Sequence, residues 1–424
     1  MNRLKLVAAL LGTSLVLAPL ALSRTWVVAL DGTGDFFDIQ SAVDAARDGD
    51  VILVKDGTYP GFTFDKAVMV RAWGSTFTVS DHHPQVTIRL VGAGKRAGIG
   101  GMRQSGRLEI LASEGEVILD DVESAAEAPA VLIENCSSVV ATDLTIGGAM
   151  LKIVSSSVSC SRLSVHGASG SHDADTGNGY PGGPAIVVFN SLMVLANPVL
   201  VRGGDGGDGA FTWWYDPQGN GGAGGAAIEA TDSTVIILGD EGEEVRGGDG
   251  GDGYEFYAGD GGDGGAAYLE VRNSAAVVSK VALLGGQGGA GSPPGTDGPP
   301  FIGNVTRIDR FPHLTMSGNL HPGSSFEVSV ELVEAGRVLL ILANRTGFVP
   351  LARFLGPPLS VLPGGGFFLV LSGGHGDAGA IVRVPVGLLD DPVLQGFPMN
   401  AQAAVIGDDG TLFLSNVEGR IVGE

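Results

Sequence analysis

The sequence predicts an all-β chain: a parallel-stranded solenoid with a short N-terminal capping helix, followed by a C-terminal β-sandwich domain. Three observations predict it. The nine residues "VRGGDGGDG" from Val201 to Gly209 return unchanged from Val245 to Gly253. Polar residues that end apolar runs recur at Asn135, Ser155, Asn190, Asp232 and Asn273, at intervals of 20, 35, 42 and 41 residues. Beyond about Leu314 the glycine runs give way to alternating apolar strands with turn residues between them.

Taken in chain order, residues 1–23 read as an export signal. "MNRLK" carries positive charge, "LVAALLGTSLVLAPLAL" is the apolar stretch, and Ala21 and Ser23 are small enough to flank a cleavage site. A membrane anchor is the other reading; Pro19 and the short apolar run disfavour it. The mature chain then begins near Arg24, is secreted or held at the cell surface, and contains no membrane span. Next, Ile39, Val43 and Ala46 follow helical spacing, with Asp38 placed to cap that helix and Gly49 to end it. "VILV" and "VMVRA" follow as short buried strands, separated by a Gly-Thr-Tyr turn.

From Asn135 onward each layer repeats one plan. The polar marker is followed by Ser or Cys, then by an apolar strand containing Val139, Val158, Val194, Val235 or Val277. A second apolar strand comes after a turn residue and is closed by Gly147, Gly167, Gly203, Gly247 or Gly285. Twenty residues make about one turn of a β-solenoid. The excess in longer layers falls after the closing glycine. It forms glycine-rich tongues at about 167–184, 203–226, 247–266 and 285–300. Coils stack about 4.8 Å apart, so the tongues emerge side by side. Ordered, they are extended, polyproline-II-like segments packed on one another; the alternative is a low-complexity loop, favoured by the entropy of glycine. Residues 24–310 thus form the solenoid and 311–424 the sandwich.

The opening 50 residues or so resemble the start of the right-handed parallel β-helix, pectin-lyase-like superfamily, closest to the helix-capped first coil of pectin methylesterases. The last quarter resembles sandwich modules attached to secreted bacterial repeat proteins. The methylesterase segments G-x-x-D-F-[IV]-F-G and L-G-R-P-W are absent, so no catalytic residue carries over from that family.

Composition narrows the function classes. Glycine supplies 70 of 424 residues, more than twice its usual share of about 7%. Net charge is −22, which repels nucleic acid and anionic membranes. Two cysteines, Cys136 and Cys160, fall in adjacent layers but out of step, which favours buried free thiols over a bridge.

Candidate chemistry has three sources. Pectate and pectin lyases hold Ca²⁺ with carboxylates on neighbouring coils and use Arg or Lys as base. The resemblance therefore points to the row Asp121, Asp143 and Arg162, with Lys280 farther along. The row sits in a turn rather than mid-strand, which favours a polar ladder at a tight turn, with Arg paired to its neighbour. Second, "GGDGGDGYE" from Gly247 resembles the Ca²⁺-binding nonapeptide of RTX proteins. Asp205, Asp208, Asp249, Asp252, Asp260 and Asp263 are crowded, with only Arg202 and Arg246 nearby in sequence, and Ca²⁺ or hydration would relieve their repulsion. Third, the tip aromatics Trp213, Trp214, Tyr215, Tyr254, Phe256 and Tyr257 suit either stacking on sugar rings or a cluster joining the tongues. His172 and the adjacent pair His82 and His83 lack metal-ligand spacing.

The expected function is non-catalytic binding of extracellular polysaccharide or cell-surface matrix, with Ca²⁺ as the one candidate cofactor. The alternative is a polysaccharide lyase or glycoside hydrolase of the same fold.

Overall fold

The computed structural model describes residues 23–422 except 81–84, 126–128, 212–218, 240–241, 255–258, 308–311, 344–345, 350–358, 362–367, 389, 391–397 and 409–411. Most of the expected export signal, His82 and His83 thus lie outside the described residues. Among the described residues no helix is long and apolar enough to cross a membrane.

Among the described residues one helix, Ile39–Ala45, lies between the first strand, Thr25–Val28, and its neighbour in the larger sheet, Val51–Val54. The Asp38 carboxylate accepts the Ser41 amide at 2.8 Å, satisfying a donor that the first turn leaves open. Ile39, Ala42 and Val43 face the core. The helix ends at Ala46 rather than Gly49: Ala46 leaves helical backbone while its amide still reaches the Ala42 and Val43 carbonyls. Gly49, at φ 92°, makes the turn that follows. Two short strands, Thr58–Tyr59 and Phe62–Phe64, occupy what the sequence suggested was only a turn.

The chain is otherwise nearly all β, dominated by two large parallel sheets of 17 and 9 strands. Each layer gives one strand to the smaller sheet and one long or two short strands to the larger. Val131–Glu134 and Ser138–Ile146 form one such layer; Leu151–Val154, Ser157–Ser161 and Ser164–His166 form the next. Register is strict. In the larger sheet Ile99, Leu119, Ala141, Cys160, Leu195, Ile237 and Val278 stand in one column. In the smaller, Leu108, Val131, Leu151, Ile186, Ile228 and Tyr268 do the same. All are buried in one continuous apolar core. Because side chains alternate across a strand, apolar residues at every second position suffice to build these columns. Both cysteines are free and buried. Cys160 acts as a small core residue, its thiol pushed up to about 12 by burial.

Two corners of the layers use left-handed backbone. Leu90, Ala112, Asn135, Ser155, Asn190, Asp232 and Asn273 hold one, at φ between 44° and 57°. Asn and Asp tolerate this region better than most residues, which explains the recurrence of polar markers. The next residue locks the corner. Cys136, Ser156, Ser191 and Ser233 each donate their backbone amide to the hydroxyl of the following layer's serine, at 2.9, 3.0, 3.1 and 3.0 Å. Each of those hydroxyls donates to the carbonyl two residues before it.

Beyond residue 311, antiparallel sheets of three and four strands surround a second apolar cluster that includes Leu314, Phe326, Val338, Leu340 and Ala401. The strand Leu412–Ile421 lies against Ser138–Ile146 and Ser157–Ser161 of the larger parallel sheet. Arg71, itself buried, donates to the Val422 carbonyl at 3.0 Å. Lys280 reaches Glu331 at 2.8 Å. The outward residues Ile118, Asp120, Val140 and Thr142 are buried.

Ser191→Ala tests the corner ladder. It deprives the Ser156 amide of its acceptor, and an unmatched buried donor costs about 1–3 kcal/mol. Denaturant unfolding should show that loss, whereas Ser137→Ala, at an exposed position two layers away, should change stability little.

Candidate functional site

The described arms of the tongues form a hydrogen-bonded lattice. Each tongue has an outgoing and a returning arm. Gly203, Gly206 and Gly209 in one outgoing arm donate to the carbonyls of Arg246, Asp249 and Asp252 in the next, at 3.0, 2.8 and 2.7 Å. Gly204 and Gly207 donate instead to Gly183 and Tyr180 of a returning arm, at 2.8 and 2.9 Å. The returning arms repeat the alternation: Gly221 and Gly224 donate onward to Asp260 and Asp263, while Gly222 and Gly225 donate across to Gly207 and Gly204. A three-residue period of this kind is that of a polyproline-II-type helix, which turns once every three residues.

That period explains the triplet Gly-Gly-Asp. The first glycine amide bonds to the next tongue, and the second bonds to the opposite arm. The amide of the third residue would be orphaned, and the side chain of the previous tongue accepts it. Asp205 accepts from Asp249 at 2.8 Å, and Asp249 from Gln287 at 2.7 Å. Asp208 accepts from Asp252 at 2.9 Å, and Asp252 from Ala290 at 2.7 Å. Asn220 accepts from the Asp260 amide at 2.9 Å, and Asp263 from Thr296 at 2.8 Å. The Thr296 amide, then its hydroxyl, hold the Asp263 carboxyl below its ordinary range. Arg202 bridges Asp205 and Asp249 at 2.8 and 2.7 Å, and Arg246 reaches Asp249 at 3.1 Å. The acidic side chains therefore accept backbone amides and, in part, guanidinium groups. Among the described residues no three His, Cys, Asp or Glu side chains converge to hold a metal.

Glycine is required by the spacing of the arms. A Cβ on Gly251 would lie against the Gly207 carbonyl, well inside contact distance. Proline closes the lattice at both ends. In the last tongue the three-residue register puts Pro294 and Pro300 where amides would point past the final layer. In the first, Pro181 and Pro184 take positions whose amides would need an acceptor in a tongue that precedes it. Proline has no N–H, so neither edge is left with those donors.

At the tips, the rings of Phe211 and Tyr254 meet across neighbouring tongues, 6.0 Å apart and tilted by 37°. Trp213, Trp214, Tyr215, Phe256 and Tyr257 lie outside the described residues.

The row Asp121, Asp143 and Arg162 sits at the second left-handed corner, at φ 49°, 52° and 53°. Arg162 donates to both carboxylate oxygens of Asp143. Arg103 donates to the Asp121 carboxylate at 2.7 Å and to its carbonyl at 2.9 Å. The three residues are thus drawn into separate ion pairs within turns. Asp173 caps a turn by accepting the Asp175 and Thr176 amides and the Tyr180 hydroxyl, while His172 pairs through its backbone with Gly179.

Sequence reasoning missed two surfaces. The Asn/Ser corner opens as a groove of about 560 Å³, lined among others by Asn135, Ser155, Ser157, Asn190 and Asp232. Its carboxylate, Asp232, is held low by the Arg272 guanidinium and by Asn273. The neighbouring Phe189 is 42% exposed. The markers had been visible in sequence, but as corner residues rather than as a groove. The other surface is a smaller pocket of about 420 Å³ around Trp73, a residue that no motif singled out.

No protein-family model matches the chain, and neither a curated protein nor a solved structure matches it.

Gly251→Ala should destabilise the tongues by ~1–3 kcal/mol, the usual scale of overpacking. Limited proteolysis should then cut within 203–266, while Ala223→Ser, at an exposed third position, should leave the tongues resistant.

Proposed function

We propose that the chain is a secreted, non-catalytic protein that binds extracellular polysaccharide or cell-surface matrix. On this reading the two parallel sheets are faces of a right-handed parallel β-helix of the pectin-lyase-like kind, and the C-terminal sheets form a β-sandwich. Export rests on the residue pattern of 1–23. One observation carries the choice of binder over enzyme: the residues best suited to acid–base work are tied up in turns. Asp143 and Arg162 neutralise each other, and Arg103 holds Asp121. A general base needs reach to a substrate proton, and a carboxylate locked on a guanidinium offers little.

The Asn/Ser corner supplies a binding surface of suitable chemistry. Amides and hydroxyls at Asn135, Ser155 and Asn190 recur layer by layer. A linear polymer with repeating hydroxyls meets such a row at successive sugar units. Neutral donors and acceptors also suit a ligand that approaches a chain of net charge −22. The outer face of the larger sheet, where its residues are covered by the C-terminal strands, is less open to a polymer.

A glycan array on the full-length protein tests this, with and without chelator, alongside the double variant Asn135→Gly, Asn190→Gly. Glycine keeps the left-handed corner and removes the amides. Wild type should bind, the double variant should bind roughly tenfold more weakly, and chelator should change neither. Unsaturated uronide or new reducing ends would replace the reading with a lyase or hydrolase. Loss of binding with chelator would make Ca²⁺ part of the site.

A further inference from the structure

We propose a sugar-ring subsite at Trp73 that takes a neutral hexose residue of the bound polymer. It rests on the polysaccharide-binding reading and adds a position, an aromatic platform and a charge class. The strands Thr25–Val28, Val51–Val54 and Met69–Ala72 stack in register. Ala29, Lys55 and Trp73 follow them and form a column, with the Lys55 amide on the Val28 carbonyl and the Trp73 amide on Val54. Leu30, Asp31 and Asp56 complete a pocket of about 420 Å³. Gly74, at φ 126°, turns the chain away directly after Trp73.

Trp73 is 51% exposed and Leu30 52%. Indole and leucine surface left in water beside charged groups is the composition of a ligand site: apolar area for contact and a few polar atoms for orientation. A pyranose matches it. Its C–H face packs on an indole as other apolar faces do, and its hydroxyl rim meets the polar atoms. The Lys55 ammonium stands 5.8 Å from the indole centroid. It donates to the Thr33 hydroxyl at 2.6 Å, and an ammonium has three donors, so others remain for a sugar oxygen. Asp56 makes no hydrogen bond among the described residues and is an acceptor for a hydroxyl pair. Asp31 accepts the Thr33 amide at 3.0 Å. The Thr33 hydroxyl, then its amide, hold the Asp31 carboxyl below the ordinary range, so it stays ionised. Two carboxylates against one ammonium disfavour a uronate and leave a neutral ring as the fitting occupant.

The test measures binding of full-length wild type, Trp73→Ala and Trp73→Phe to immobilised hexaoses of glucose, mannose and galactose, and to hexagalacturonate. Wild type should bind a neutral hexaose. Trp73→Ala should weaken it about tenfold, Trp73→Phe should keep most of it, and neither change at this exposed position should alter the melting temperature. Equal affinity for wild type and Trp73→Ala, with binding still weakened in the Asn135→Gly, Asn190→Gly variant, overturns the subsite and leaves the polysaccharide reading standing. Binding to hexagalacturonate alone overturns the neutral class. Failure of wild type to bind any of the four overturns both.

Discussion

Backbone amides of successive layers donate to one another in unbroken columns, and that constraint fixes where every other group can go. A polar backbone buried without partners costs several kcal/mol per group in apolar surroundings. In the two parallel sheets the layer above supplies the partner, so strands stay in register and apolar side chains fall into continuous columns. Corners interrupt the sheets, and there side chains take over. Serine hydroxyls at 156, 191, 233 and 274 receive the amides that the bend leaves open.

In the tongues the constraint takes a second form. Glycine there carries no side chain to bury, so a hydrophobic core cannot hold the arms. Their order depends on matching all three amides of each triplet: two with carbonyls and one with an Asp or Asn side chain. Fixing glycine costs more conformational entropy than fixing any other residue. The offset comes from cooperative bonding across eight arms anchored on strands of the two parallel sheets. Anchoring matters because both ends of each arm pair are already held by strands, such as Leu200–Arg202 and Ile228–Thr231. The acidic residues of the triplets act as acceptors in this lattice.

Much of the architecture was legible in sequence because it depends on period. The polar markers stack as their spacing implied, and the tongues leave from one corner. Legibility failed where the decisive feature is three-dimensional adjacency. Arg162 takes Asp143, the neighbour pairing that the polar-ladder reading gave, but nothing in the local sequence says that Arg103, a layer earlier, will take Asp121. The Asp residues of the triplets were read through charge; that their side chains accept amides of the next tongue was not visible, because those amides lie some 40 residues away. Trp73 was missed because an isolated tryptophan has no spacing to read, and its setting is made by three strands that only stacking brings together. The helix end at Ala46 shows the same limit on a smaller scale, since packing against the first coil, not the glycine, sets the boundary.

Amide hydrogen exchange on the intact protein tests the lattice most directly. Gly206, Gly222, Gly250 and Gly262 each donate to a carbonyl of another arm. Their amides should exchange as slowly as those of buried strand residues such as Val194. Exchange at the rate of an unstructured glycine chain, with Val194 still protected, would contradict an ordered lattice and return the tongues to loops.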